Sequence, residues 1–232
     1  MRPLRRHCRH GIACATSGAV SFADTSYTLP MAPAVVVVIF TVLEGRLSVL
    51  LIERAAEPCQ GEWALPGGLL QANETLDGAA SRKLQDETGL TDVFLEQLYS
   101  FDATDEGNAG IVVAYFALLP AAQARLRREL EWRPAWHALR DLESLAFENE
   151  RILEYARERL RNKLAYTNVA YSFLPRRFTL RELQGVYEAI LEEPVDKRNF
   201  RRRMVGLGIV RATNETRKEG AHRPARLYEF SS

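Results

Sequence analysis

At 232 residues the chain has room for one large or two modest domains, and its composition, 47% hydrophobic and 26% charged, is that of an ordinary globular protein. Its longest apolar run, at 35–40, suits a buried strand and falls far short of the roughly 20 residues that span a bilayer, so no membrane partner is expected. The formal net charge of +1 conceals a division: residues 31–150 hold 9 Lys+Arg against 19 Asp+Glu, and residues 151–232 hold 18 against 10. An acidic stretch joined to a basic one implies two domains with different partners, a divalent cation suiting the first and a polyanion the second.

Residues 1–30 are Arg-rich, then Ser/Thr/Ala/Gly-rich, without periodicity, and are expected to form a disordered tail. Cys8, Cys14 and Cys59 make an odd count without structural-zinc spacing. They point to a reducing, cytoplasmic setting with no disulfide framework. From Pro33 the pattern is strand-rich. AVVVVIFTV (34–42) reads as a buried strand, Glu44-Gly45-Arg46 as a tight turn and LSVLLIER (47–54) as a second strand. A break at Pro66-Gly67-Gly68 leads into a helix over 75–88. FLEQLYSF (94–101) and IVVAYFALL (111–119) read as strands around a polar loop, DATDEGNAG. Residues 143–166 carry Ile152, Leu153, Ala156, Leu160 and Leu164 at helical spacing and read as one long connecting helix. Strands and helices in mixed order give an α/β or α+β sandwich.

After Thr167 the character changes. Thr179 is placed to cap a helix through Leu191, with Leu180, Leu183, Val186, Tyr187 and Ile190 on one face. Pro194 ends it, and Asp196 caps a second helix, KRNFRRRMVGLG, on which Phe200, Met204 and Leu207 recur as the core face. IVRAT (209–213), a polar loop and ARLYEF (225–230) form a hairpin. Helix, turn, basic helix and hairpin is the order of a winged helix-turn-helix. Lys197, Arg198, Asn199, Arg201, Arg202 and Arg203 occupy the remaining faces of the second helix, and the hairpin supplies Arg217, Lys218, His222 and Arg223. Arginine takes guanine and asparagine takes adenine by paired hydrogen bonds, while further cations neutralise phosphate. This constellation points to double-stranded DNA.

In the stretch GGLLQANETLDGAASRKLQDETGL (67–90), positions 83, 86 and 87 share a helix face. Three carboxylates there would suit magnesium shared with substrate phosphates. Position 83 is instead a lysine, whose ammonium repels a divalent cation and can pair with Asp86 or Glu87. The stretch resembles the Nudix box through Gly68, Glu74, Arg82, Leu84, Glu87, Gly89 and Leu90, with Asp86 a conservative exchange, and WALPGG (63–68) is similar as well.

With KLAYTNVAYSFLP (163–175), FTLRELQGVYEAIL (178–191), DKRNFRRRM (196–204) and RPARLYEF (223–230), the whole resembles the NrtR family of Nudix-related transcriptional regulators of NAD metabolism. The resemblance implies an α/β/α Nudix-like ligand-sensing domain (31–147), a connecting helix (148–166) and a winged helix (167–232). It further implies a homodimeric repressor on palindromic operators, with ADP-ribose or a related NAD-derived nucleotide as effector and no required cofactor. Arg54, Trp63, Gly67, Gly68 and Arg82 are the implied ligand positions. Asp86 and Glu87 are the implied metal positions, with Mg²⁺ relevant if hydrolysis is retained. The chain departs from the family at DATDEGNAG (102–110), where relatives carry arginines, and at Phe147-Glu148-Asn149, which replaces Phe-Asp-His. Two rival readings are a magnesium-dependent Nudix hydrolase of ADP-ribose and a sequence-indifferent nucleic-acid-binding protein.

Overall fold

The computed structural model describes residues 32–105, 108–126, 132–218 and 224–231. The expected tail at 1–30, with Cys8 and Cys14, lies outside the described residues, as do His222 and Arg223.

β1 (Ala34–Leu43) and β2 (Arg46–Glu53) form a hairpin with Glu44 and Gly45 at φ 51° and 73°. That left-handed pair lets a two-residue turn follow the twist of its strands. β1 is central to a seven-stranded sheet. It pairs antiparallel with β2 and with β4 (Gly67–Leu69), and parallel with β6 (Asn108–Leu118). β5 (Glu96–Asp105) pairs with β6, while β3 (Trp63–Ala64) and β7 (Arg133–Ala138) pair with β2.

The two faces of β1 go to two cores, as a side-chain period of two requires. Val35, Val37 and Ile39 pack with Ala79, Ala80 and Leu84 of α1 (Leu76–Thr88). Val36, Val38 and Phe40 share a cluster with α2 (Asn149–Tyr166). The result is an α/β/α sandwich. α1 begins where the Thr75 hydroxyl accepts the Gly78 N–H at 3.1 Å and ends at Gly89, φ 74°. The five apolar residues that mark α2 in the sequence are all buried, the four leucine and isoleucine side chains each worth about 1.5–3 kcal/mol if burial is complete.

Beyond α2 the core continues without interruption. Phe178, Leu183, Ile190, Phe200, Met204 and Tyr228 belong to the same cluster as the α2 face. α3 (Leu180–Leu191) starts with a full capping box. The Thr179 hydroxyl accepts the Glu182 N–H at 3.2 Å, and the Glu182 carboxylate accepts the Thr179 N–H at 2.7 Å. α4 (Lys197–Gly206) follows, with Asp196 accepting the Asn199 N–H at 2.8 Å. β8 (Val210–Arg217) and β9 (Ala225–Phe230) form the hairpin, and Phe178 bridges to Tyr228. This is a winged helix following an α/β sandwich, the fold class expected from the sequence.

Several local expectations are corrected. The connecting helix starts at Asn149, one residue inside the implied 148–166 and later than the 143 read from periodicity, because Phe147 and Glu148 take φ of 59° and 54°, which breaks the helical run. The polar loop at 102–110 is largely strand, since β5 runs to Asp105 and β6 begins at Asn108. Polar residues are compatible with a hairpin at the end of the sheet. β8 likewise extends to Arg217, into what reads as loop. Leu207 is 61% exposed, and the reason is positional: α4 ends at Gly206, so Leu207 no longer follows the buried face. Cys59 is disulfide-bonded, against the expectation of no disulfide framework.

Candidate functional site

A cleft of about 420 Å³ opens on the sandwich between β4, the first part of β1, the C-terminal end of α1, β5 and the N-terminus of α2. Gly67 and Gly68 form part of its wall; backbone contact requires glycine at Gly67, and at Gly68 a Cβ would displace the end of the Lys83 side chain. A Cβ on Gly67 would stand 2.4 Å from the Val35 carbonyl oxygen, and one on Gly68 would stand 2.7 Å from Lys83 Nζ. Arg54 enters from the end of β2. Its Nε donates to the Pro58 carbonyl at 2.7 Å, and its guanidinium lies 4.6 Å from the Phe147 ring and 5.5 Å from the Trp132 ring. Stacking of this kind holds a cation in place without using all of its donors.

α1 contributes Lys83 and Glu87 to the cleft. Glu87 is 2% exposed, its Oε1 3.2 Å from Lys83 Nζ and its Oε2 accepting the Gly67 N–H at 2.9 Å. Burial pushes its carboxyl up, against the opposing pull of Lys83, the Gly67 N–H and Arg54. The sequence leaves open whether Lys83 pairs with Asp86 or Glu87; in the structure its partner is Glu87. Asp86 points away, with a side chain 61% exposed and 3.9 Å from Arg82. Arg82 is engaged elsewhere too: its Nε and Nη2 grip both oxygens of Glu74 at 2.7 and 2.8 Å. Trp63 lies edge-on to His137 at 4.2 Å, outside the cleft wall. Of the seven cleft positions expected, the structure brings together Arg54, Gly67, Gly68 and Glu87 and sets Trp63, Arg82 and Asp86 apart.

These residues do not fit a divalent cation. Among the described residues no three His, Cys, Asp or Glu side chains are grouped to hold one. The buried carboxylate is already bonded through both oxygens, and an ammonium stands where a third carboxylate would complete the set.

Trp132, Phe147, Glu148, Asn149 and Arg151 also line the cleft. The departure at 147–149 therefore sits at the site itself. Phe147 and Glu148 hold left-handed φ values that side-chain-bearing residues adopt at a cost of about 1–3 kcal/mol each. They are pinned by Asn149, which is 3% exposed and accepts the Leu65 N–H at 2.8 Å. Arg151 stands 3.9 Å from Asp102, within the second departure. It brings a guanidinium to the cleft from α2. Trp132 carries no sequence signal, since it precedes β7, whose RPAWHA lacks alternation.

The second site is α4. Phe200 and Met204 are buried, while Lys197, Arg198, Asn199, Arg201, Arg202 and Arg203 are all exposed on one short helix. Arg202 donates to the Asn199 side chain at 3.0 Å. In the hairpin, Arg217 turns back to Glu182 at 2.5 Å, whereas Lys218 is exposed.

α2 touches both regions. Its first turns supply Asn149, Arg151 and Ile152 to the cleft. Two turns further on, Arg157 and Arg161 (2.8 Å) bond the carboxylate of Glu192, the left-handed residue that ends α3, and Arg140 stands 3.6 Å away. At the far end Lys163 Nζ pairs with Glu96 of β5 at 2.5 Å.

Comparison with known proteins accords with this architecture. The NUDIX domain family matches residues 31–156, and the NrtR DNA-binding winged helix domain family matches residues 170–230. The ADPR responsive transcriptional repressor NtrR of Acinetobacter baylyi is 39% identical over 201 residues, covering 83% of this chain and 79% of the relative. The structure of Shewanella oneidensis NrtR complexed with a 27mer DNA superposes with a TM-score of 0.71 at 33% identity, covering 85% of this chain and 93% of that one. The NUDIX domain of the same protein complexed with ADP ribose gives a TM-score of 0.51 at 32% identity, covering 56% and 88%. With a Nudix sandwich ahead of an NrtR winged helix, and this similarity along most of its length, the chain belongs to the NrtR family.

Proposed function

We propose that the protein is a transcriptional repressor that binds operator DNA through α4 and senses ADP-ribose, or a related NAD-derived nucleotide, in the cleft of its Nudix domain. The observation that carries this reading is α2, which lines the cleft at one end and grips the DNA-binding domain through Glu192 at the other. A ligand alters DNA affinity only if it favours one arrangement of the DNA-binding heads over another. A helix that lines the cleft and is ion-paired to the end of α3 is a means of transmitting that preference. Exposed Arg198, Arg202 and Asn199 suit base edges, and Lys197, Arg201, Arg203 and Lys218 suit phosphates.

Two copies, each placing one α4 in a major groove, would read half-sites of a palindrome about one helical turn apart. A repressor of this kind works in the cytoplasm, and among the described residues no helix is long and apolar enough to cross a membrane. The test is a gel shift against DNA upstream of the protein's own and neighbouring genes, with unrelated duplex as competitor. A retarded band that survives the competitor is expected. Sequence-indifferent binding, or brisk release of AMP from ADP-ribose with Mg²⁺ by a protein that retards no duplex, would overturn the reading.

A further inference from the structure

We propose that Lys83 is a built-in counter-cation: its ammonium binds the diphosphate of the ligand directly, in the role a divalent ion fills in a carboxylate-lined site, so that ligand recognition needs no metal. The inference rests on the cleft being the ligand site. It goes further in naming the group that receives the phosphates and in removing the metal from recognition.

Three observations converge. Lys83 lies on the cleft wall with its Nζ 3.2 Å from Glu87 Oε1. An ammonium has three N–H donors, so two remain to meet ligand oxygens. Second, Gly68 lacks a Cβ at the point where the lysine passes, since one built there would stand 2.6 Å from its Cε and 2.7 Å from its Nζ. The absence of a side chain at 68 lets the ammonium lie against the strand instead of being pushed out to solvent. Third, two cations meet at the buried carboxylate. Lys83 and Arg54 both act on Glu87, so two cations stand against one buried carboxylate at this point. Glu57, which also acts on Arg54, Glu148 and the Arg151–Asp102 pair make up the rest of the charged lining. A divalent ion arriving there meets an ammonium and a carboxylate with both oxygens engaged. A diphosphate meets two cations held in place, and charge-assisted hydrogen bonds to phosphate are the strong kind.

The test is calorimetric titration of the full-length protein with ADP-ribose, in EDTA and in Mg²⁺. For the unaltered protein the affinity is expected to be the same in both buffers. Lys83→Met should weaken binding by about 10- to 150-fold in both, the loss of a hydrogen bond to a charged group. Because that change strands the buried Glu87 carboxylate, the double variant Lys83→Met/Glu87→Gln is measured beside it and should show the same loss. Lys83→Arg should retain metal-free binding, and Lys83→Glu should make binding depend on Mg²⁺. Binding by the unaltered protein only in Mg²⁺, or unchanged affinity in both methionine variants, would overturn the proposal while leaving the cleft as the ligand site. Absence of binding in both buffers would overturn the ligand reading and this proposal together.

Discussion

The cleft and the basic helix hold their charges in opposite ways. In the cleft Glu87 is bonded through both oxygens, Lys83 is paired, Arg54 is stacked and hydrogen-bonded, and Arg151 stands beside Asp102. On α4 the cations of residues 197–203 face solvent, and the ordered partners they have are few: Asn199 for Arg202 and a long contact to Tyr228 for Arg201. A site with its charges internally balanced is set up in advance for a small ligand of defined shape. A row of like charges on ten residues gains its counter-charge from outside, and a phosphate backbone supplies it.

That contrast can be broken or sharpened by mutation. The largest effect is expected where α4 is anchored: Phe200→Ala should cost about 3–5 kcal/mol of stability, against less than about 0.5 kcal/mol for Leu207→Ala, both read by chemical denaturation. Equal losses would mean that the helix is seated differently. Next, Arg198→Ala should weaken operator binding by about 1–3 kcal/mol if the arginine reads a base, whereas Lys197→Ala should mainly lower the salt slope by about 1. Neither should alter ADP-ribose affinity, measured by calorimetry. Glu192→Gln should leave ligand and DNA binding in place when each is measured alone. It should shrink the effect of one on the other, within a coupling range of about 1–3 kcal/mol. The smallest effect concerns acid. Arg82 and the Gln71 N–H hold the Glu74 carboxyl down from 4.5 to about 2. A depressed carboxylate contributes stability above its ordinary pKa, and that contribution is lost as pH falls from 4.5 toward 2. Unfolding midpoints across that window should fall less for Glu74→Gln than for the unaltered protein.

What the sequence disclosed depended on how local the signal was. α3 and α4 are delimited within a few residues by Thr179, Asp196 and Pro194, and their buried faces follow a short period, so the winged helix was legible almost residue by residue. The Nudix stretch was legible because its glycines and carboxylates stand at fixed spacing around one helix. The cleft is another matter. It draws on segments from Ala34 to Ile152, and Trp132 and Arg151 reach it through β7 and the start of α2, whose positions follow from tertiary packing. Trp63, Arg82 and Asp86 sit in the right stretch but face elsewhere, a matter of side-chain direction that spacing along the chain does not resolve. Periodicity alone runs the helix back to 143 for a similar reason, since nothing in Phe147-Glu148 announces two left-handed residues in a row.

The central claim is that occupancy of the cleft is felt at α4 through α2. It is tested most directly by the dissociation constant for an operator fragment, measured with and without saturating ADP-ribose at fixed salt. A change of about 5- to 150-fold is predicted. An unchanged constant, with ADP-ribose shown to be bound, would contradict the claim.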